Sequence, residues 1–300
     1  MKELTSCPLC GSESFHLERD VKDHMISKES FSVQKCNNCD FLFTSPRPDD
    51  EAIGAYYESE DYISHSNTKK TWFDRAYHII RNRAIVKKEK LASAQILNKG
   101  KLLDYGCGTG EFLGYAKTKD WETMGVEPSP RAAQQARTNQ GVSVVSPDEF
   151  LGNHKHRDFD VISMWHVLEH LDDPVGKLKM FHDRLTPGGA LLVAVPNYES
   201  FDAKVYGSFW AAWDTPIHFS HFSKKTMSSA AEKADFCVHN IINMPFDSYY
   251  VSLLSEKYRG GNPVAGLWTG LRSNLAGLKE NQSSLIYVLK KKNQGQLFDS

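Results

Sequence analysis

The chain has 300 residues, 40% hydrophobic and 24% charged, the balance of an ordinary globular protein rather than a disordered or fibrous one. Its 36 Lys and Arg against 37 Asp and Glu leave a formal charge of −1, so no global field draws it to nucleic acid or to an anionic membrane. This length suits one large domain, or a medium domain with additions.

The opening residues, MKELTSCPLCGSE, contain no apolar core of a signal peptide. The longest apolar run, ALLVAV at 190–195, is far shorter than the ~20 residues a bilayer span needs. A cytoplasmic, reducing location is expected, where paired cysteines read as metal ligands before disulfides. Two such pairs lie near the start, Cys7 and Cys10 in CPLC and Cys36 and Cys39 in CNNC, with 25 residues between the pairs. Each pair sets two thiolates at the tip of a tight turn, and the four together make a tetrahedral set for zinc. Four thiolates leave no open position, so the zinc would be structural. Short-strand alternation between the pairs predicts a zinc ribbon over residues 1–48. Redox motifs or disulfides compete with this reading, and the matched pairs in a reducing setting favour zinc.

Residues 49–99 form a connector that is rich in Pro, Asp and Tyr and then helical. Trp72, Phe73, Tyr77, Ile80, Ile85, Leu91 and Ile96 supply the apolar face of one or two amphipathic helices. Residues 69–90 carry eight basic and two acidic side chains, which reads as a solvated face before an anion site.

From Lys101 short apolar strands alternate with helices, the pattern of a parallel α/β sheet. The predicted strands are 101–106, 123–128, 142–146, 159–165, 190–196, 236–244 and 284–292, with a helix over 223–235. Seven strands with an antiparallel insertion at the end make a doubly wound, Rossmann-like sheet. Two helical stretches, 248–258 and 264–279, fall between the last two strands. No hairpin loop needs that length, so 246–283 reads as a helical cap inserted into a domain spanning 100–300.

The first strand runs into LLDYGCGTGEFLGYA. Gly106, Gly108 and Gly110 permit a tight turn and close approach of a ligand, and Glu127 closes the second strand where it can accept both hydroxyls of a ribose. A dinucleotide site needs G-x-G-x-x-G facing a pyrophosphate. Here the spacing is G-x-G-x-G, and Asp104 stands two residues before it. A carboxylate there repels pyrophosphate and suits a cation such as the ammonium of a methionine moiety, which points to S-adenosylmethionine.

On DYGCGTG (104–110), VEPSP (126–130), FDVISMWHVLEHLDDP (159–174) and LTPGGALLVAVPN (185–197), the chain resembles the class I S-adenosylmethionine-dependent methyltransferases over residues 100–292. Within them it looks most like the ubiquinone-type small-molecule methyltransferases, and its front end resembles a bacterial subgroup that carries a zinc ribbon. The resemblance implies that Asp104, Gly106, Gly108 and Gly110 contact the methionine portion. It also implies that Glu127, followed by Pro128, holds the ribose, that Asp148 lies near the adenine, and that Trp165 and His166 lie beside the cofactor. Pro147 departs from the commonest pattern by removing a backbone N–H next to Asp148. A small-molecule methyl acceptor is implied as partner; nothing in the sequence sets the oligomeric state.

The stretch WHVLEH (165–170) also matches H-x-x-E-H, a metalloprotease zinc pattern. Its place after the fourth strand, where ligands of open α/β sheets lie, makes it part of the cofactor site instead. Some relatives carry E-x-x-E-H at this point and bind a divalent ion. The equivalent residues are His166, Glu169 and His170, with His218 or His221 available to complete a set. The reading adopted is that Glu169 and His170 cap and pack the helix while His166 alone faces the pocket. Transfer to a hydroxyl needs a base, and His166, His218 and His221 are the candidates. Trp210, Trp213, Tyr56, Tyr57 and Tyr62 are candidate pocket walls. The function expected is methylation of a small molecule at a hydroxyl oxygen. A sugar-nucleotide C-methyltransferase, an RNA methyltransferase and a non-catalytic zinc-ribbon binding module on a decayed methyltransferase fold are the alternatives.

Overall fold

The computed structural model describes residues 1–49, 51–56, 72–277 and 281–292, with the side chains of 72–80 left aside. Tyr57 and Tyr62, and the side chains of Trp72, Phe73, Tyr77 and Ile80, therefore lie outside the described residues.

The front of the chain folds as β1 (Phe15–Lys22), β2 (Ser30–Cys36) and β3 (Leu42–Thr44). These pair as an antiparallel meander. The sheet does not stop there. Its fourth strand, β9 (Ser220–His221), comes from far along the chain and pairs with β3 through Leu42–His221 and Phe43–Ser220. The Thr44 hydroxyl donates to the His218 carbonyl at 2.7 Å, and Arg47 stacks on the Phe219 ring at 4.0 Å while pairing with Asp172. The ribbon is thus built into the larger domain.

Helix α1 (Trp72–Ser93) contains neither Gly nor Pro, and packs its end on the sheet through Leu91 and Ala92. The larger sheet follows from β4 (Lys101–Tyr105), β5 (Glu122–Val126), β6 (Ser143–Val145), β7 (Phe159–Trp165), β8 (Leu185–Pro196), β10 (Phe236–Asn243) and β11 (Ser284–Lys291). Their order across the sheet is β10-β11-β8-β7-β4-β5-β6. β11 runs antiparallel to both neighbours, and the pairs among β4 to β8 are parallel. Alternate residues serve opposite faces. Leu103, Ile162 and Leu191 join one core with Phe150 and Phe181, while Leu102, Val161 and Leu192 join the other with Phe112 and Trp121. Central parallel strands buried on both faces read as continuous apolar runs, which is why they were visible in the sequence.

The connecting helices are α2 (Glu111–Lys117), α3 (Pro130–Gln135), α4 (Pro147–Gly152), α5 (Pro174–Arg184), α6 (Phe201–Tyr206) and α7 (Lys224–Lys233). Pro at the first helical position follows a capping Ser129, Ser146 or Asp173 in α3, α4 and α5. The cap is a helical hairpin, α8 (Pro245–Arg259) and α9 (Pro263–Ala276), between β10 and β11. Among the described residues no helix is long and apolar enough to cross a membrane.

Candidate functional site

The turn after β4 is held by backbone bonds from Gly106 N–H and Cys107 N–H to the Val126 carbonyl, at 2.7 and 3.1 Å. Gly106 has φ 81°, and a Cβ there would lie 2.5 Å from Val167 Cγ2, so no larger residue fits. Gly108, at φ 54°, has open space where a Cβ would point. Glu127, at the carboxyl end of β5, accepts from Gly108 N–H at 2.8 Å and from Ser129 N–H at 2.9 Å, tying the two loops together. Pro128 is exposed beside it, and Asp148 is exposed in the first turn of α4.

Asp104 is 3% exposed and accepts from the Ser163 hydroxyl at 2.6 Å. Burial pushes its pKa up to about 6, against the lowering effects of Ser163 and the Lys88 charge. Lys88 reaches in from α1. Its ammonium stands 4.5 Å over the Trp165 ring and feels the charges of both Asp104 and Asp247, while burial lowers its pKa. The Trp165 indole N–H is buried with no hydrogen-bond partner among the described residues. A buried carboxylate, the Lys88 cation and the orphaned Trp165 donor thus gather beside the glycine turn. This donor set fits a zwitterionic amino-acid group and a ribose.

His166 has φ 57° and is fixed by its N–H to the Ala194 carbonyl at 3.0 Å. Its Nδ1 lies 3.2 Å from Glu169 Oε1 and its Nε2 3.0 Å from Asp247 Oδ2, at the start of α8. Burial opposes charge on this ring, but the two carboxylates outweigh it and raise its pKa to about 10. Carboxylates on both sides thus favour the imidazolium form of His166 and engage both of its nitrogens.

The other Glu169 oxygen, Oε2, is buried with no hydrogen-bond partner among the described residues. One donor atom from each of Glu169, His170 and His218 lies within 4.8 Å of the others. His170 Nδ1 meets the Ile217 carbonyl at 2.9 Å and His218 Nδ1 the Ala212 carbonyl at 3.0 Å, so each ring donates from Nδ1 and is unprotonated at Nε2. Burial keeps both rings neutral, with His170 lowered to about 4. His218 Nε2 is 3.9 Å from Asp214, a carboxyl that burial raises to about 6. Of the histidines considered for a metal set, His218 joins Glu169 and His170 and His166 turns toward the cap. His221 sits in the ribbon sheet, 3.0 Å from the Thr44 hydroxyl and 5.0 Å from the Trp213 ring.

Trp210 lines a small recess of about 10 Å³ together with Val21, His24, Ser208, Asp214 and Tyr258. Trp213 lines another of about 90 Å³ with Arg19, Lys35 and Tyr198. Tyr56 lies against the ribbon, its hydroxyl 3.0 Å from Glu29. Sequence reasoning missed Lys88, Ser163, Asp214 and Asp247. Lys88 was hidden within a basic run, and Asp247 carries no local signal because only the tertiary fold sets α8 over His166.

In the ribbon, Cys7 Sγ is 3.7 Å from Cys39 Sγ and Cys10 Sγ 3.5 Å from Cys36 Sγ, too far for disulfides. Tetrahedral thiolates about 2.3 Å from zinc stand roughly 3.8 Å apart, so the donor set fits that ion.

A family profile described as a methyltransferase domain matches residues 77–241, more than half of the chain. The ubiquinone biosynthesis O-methyltransferase of Cereibacter sphaeroides is 30% identical over 118 residues, 37% of this chain and 47% of that protein. The Xanthomonas campestris protein of the same name is 25% identical over 145 residues, covering 46% of this chain and 61% of its own. A solved methyltransferase from Galdieria sulphuraria shares the fold at a TM-score of 0.50 and 13% identity, over 73% of this chain and 88% of that one. The chain spans about half the length of the curated relatives it matches.

Proposed function

The chain belongs to the methyltransferase-domain family, and from that premise and the cleft geometry we propose that it methylates a small molecule, at a hydroxyl oxygen, using S-adenosylmethionine. The observation that carries this reading is the buried Asp104 carboxylate at the glycine turn, with the Lys88 ammonium near enough to feel its charge. When bound, the cofactor supplies an electrophilic methyl on a sulfonium. Asp104 attracts the α-ammonium of its methionine end and Lys88 the α-carboxylate. Glu127 offers its two oxygens to the ribose hydroxyls, and Trp165 walls the cleft and offers its indole N–H. His166, held cationic, links the end of β7 to the cap through Asp247.

By sequence alone Glu169 and His170 are packing residues. The orphaned Glu169 Oε2 and the Nδ1-protonated rings of His170 and His218 support a different role. These three residues would hold a divalent ion, which would lower the pKa of an acceptor hydroxyl. The imidazole ligands suit a softer ion than Mg²⁺. A structural zinc would be held by Cys7, Cys10, Cys36 and Cys39.

Incubation of purified protein with methyl-labelled cofactor and separate pools of phenols, sugar nucleotides and RNA tests the assignment. Label on the phenolic pool is expected. Label on RNA alone, or on carbon of a sugar nucleotide, would replace the acceptor class.

A further inference from the structure

Helix α9 is amphipathic the wrong way round. At about 100° per residue, Val264, Leu267, Trp268, Leu271 and Leu275 share one stripe roughly 100° wide, and Gly266, Thr269, Gly270 and Ser273 lie opposite. The small residues are the buried ones. The large apolar residues face out, with Val264 71%, Trp268 60% and Leu275 58% exposed.

Two features hold the helix in this orientation. Its small face lets α8 approach closely: a Cβ on Gly270 would meet Tyr249 Cα at 2.8 Å, and one on Gly266 would meet Leu253 Cα at 3.0 Å. Ser273 Oγ donates to the buried Asp202 at 2.5 Å, a carboxylate that also accepts from Trp210 Nε1 at 2.7 Å and Ser283 Oγ at 2.6 Å. Rotating α9 to bury its leucines would break that network. The stripe continues onto α8 at Phe246, 46% exposed, because Asn274 Nδ2 bonds the Pro245 carbonyl at 2.8 Å and sets the two ends side by side.

Together these side chains expose on the order of 600 Å² of apolar surface, the upper limit for a patch on a monomer. We propose that this face joins a second copy of the chain, α9 against α9 about a two-fold axis. With a polar rim added, the area reaches the about 800 Å² per partner of a stable interface. The helix carries a single charged residue, Arg272. A nearly neutral stripe meets its own copy without like-charge repulsion, as an isologous contact requires. It lacks the cationic flank with which interfacial helices engage lipid headgroups. The same hairpin carries Asp247 to His166, so the second copy braces the cap over the cofactor cleft.

Sedimentation velocity of the full chain across the micromolar range is the test. A species of twice 33.9 kDa is expected for the wild type. Trp268→Glu should raise the dissociation constant at least ~30-fold, as loss of a central aromatic anchor does. Leu275→Lys, at the far end of the stripe, is the second variant, and circular dichroism reports whether each is folded. A wild type that stays monomeric, including one that instead sediments with phosphatidylcholine vesicles, overturns the proposal. So does a dimer that a folded variant leaves intact.

Discussion

Asp104→Asn should make the empty protein more stable and its cofactor complex weaker, opposite effects that a buried, ligand-directed carboxylate produces. Burial, with Ser163 and Lys88 opposing it, pushes Asp104 from 3.8 to about 6. At 1.36 kcal/mol per pH unit, that gap costs the folded state about 3 kcal/mol at pH 7.5. The folded carboxyl keeps its proton to higher pH than the unfolded one, so stability falls as pH rises through the window from 3.8 to about 6. Asn retains an oxygen for the Ser163 hydroxyl and carries no charge. That cost is already net of the Lys88 attraction; burying the two amide N–H donors of Asn returns part of the gain, so about 1–2 kcal/mol should remain at pH 7.5 and vanish toward pH 4. Affinity for the cofactor should drop about 10- to 150-fold, the worth of one hydrogen bond to a charged group. Thermal melts at pH 4.5 and 7.5 with and without S-adenosylhomocysteine, together with calorimetric titration, measure both effects. A variant less stable than wild type at pH 7.5, or one that binds equally well, refutes this reasoning.

Gly106→Ala should destabilise the fold by about 2–4 kcal/mol, since it adds left-handed strain and a clash with Val167, and a denaturant midpoint reads the loss. Glu127→Ala should weaken cofactor binding by roughly 1–3 kcal/mol in calorimetry, through the ribose and through the Gly108 loop it holds. Glu169→Gln should lower divalent-ion affinity 10-fold or more by equilibrium dialysis, and EDTA should abolish turnover while the ribbon zinc stays bound; turnover that persists would return Glu169 to a packing role. Cys36→Ser should lose one zinc per chain by metal analysis. Because β9 completes the ribbon sheet, it should also raise hydrogen exchange at 218–222, a spread that an independent front domain would not show.

All seven strands of the large sheet are legible in the sequence, because apolar runs bounded by Gly and Pro leave little alternative, although β8 begins at Leu185, ahead of the expected 190. The cap helices were legible too, since their length exceeded any loop. The ribbon's extent was not. β9 is two residues long and carries no periodicity, so only tertiary pairing reveals that Ser220 and His221 belong to the front sheet. The glycine turn, Asp104 and Glu127 were readable as a group because they sit within one strand-turn-helix and its neighbour. The charge state of His166 was not readable. It depends on Asp247, 81 residues away in sequence, which turns a candidate base into a fixed cation.

Calorimetric titration of the metal-replete protein with S-adenosylmethionine, and separately with NAD, tests the central claim most directly. Saturable micromolar binding of S-adenosylmethionine, lost in Asp104→Asn, with no heat from NAD, is the expected result. Tight NAD binding, or binding of neither, would contradict it.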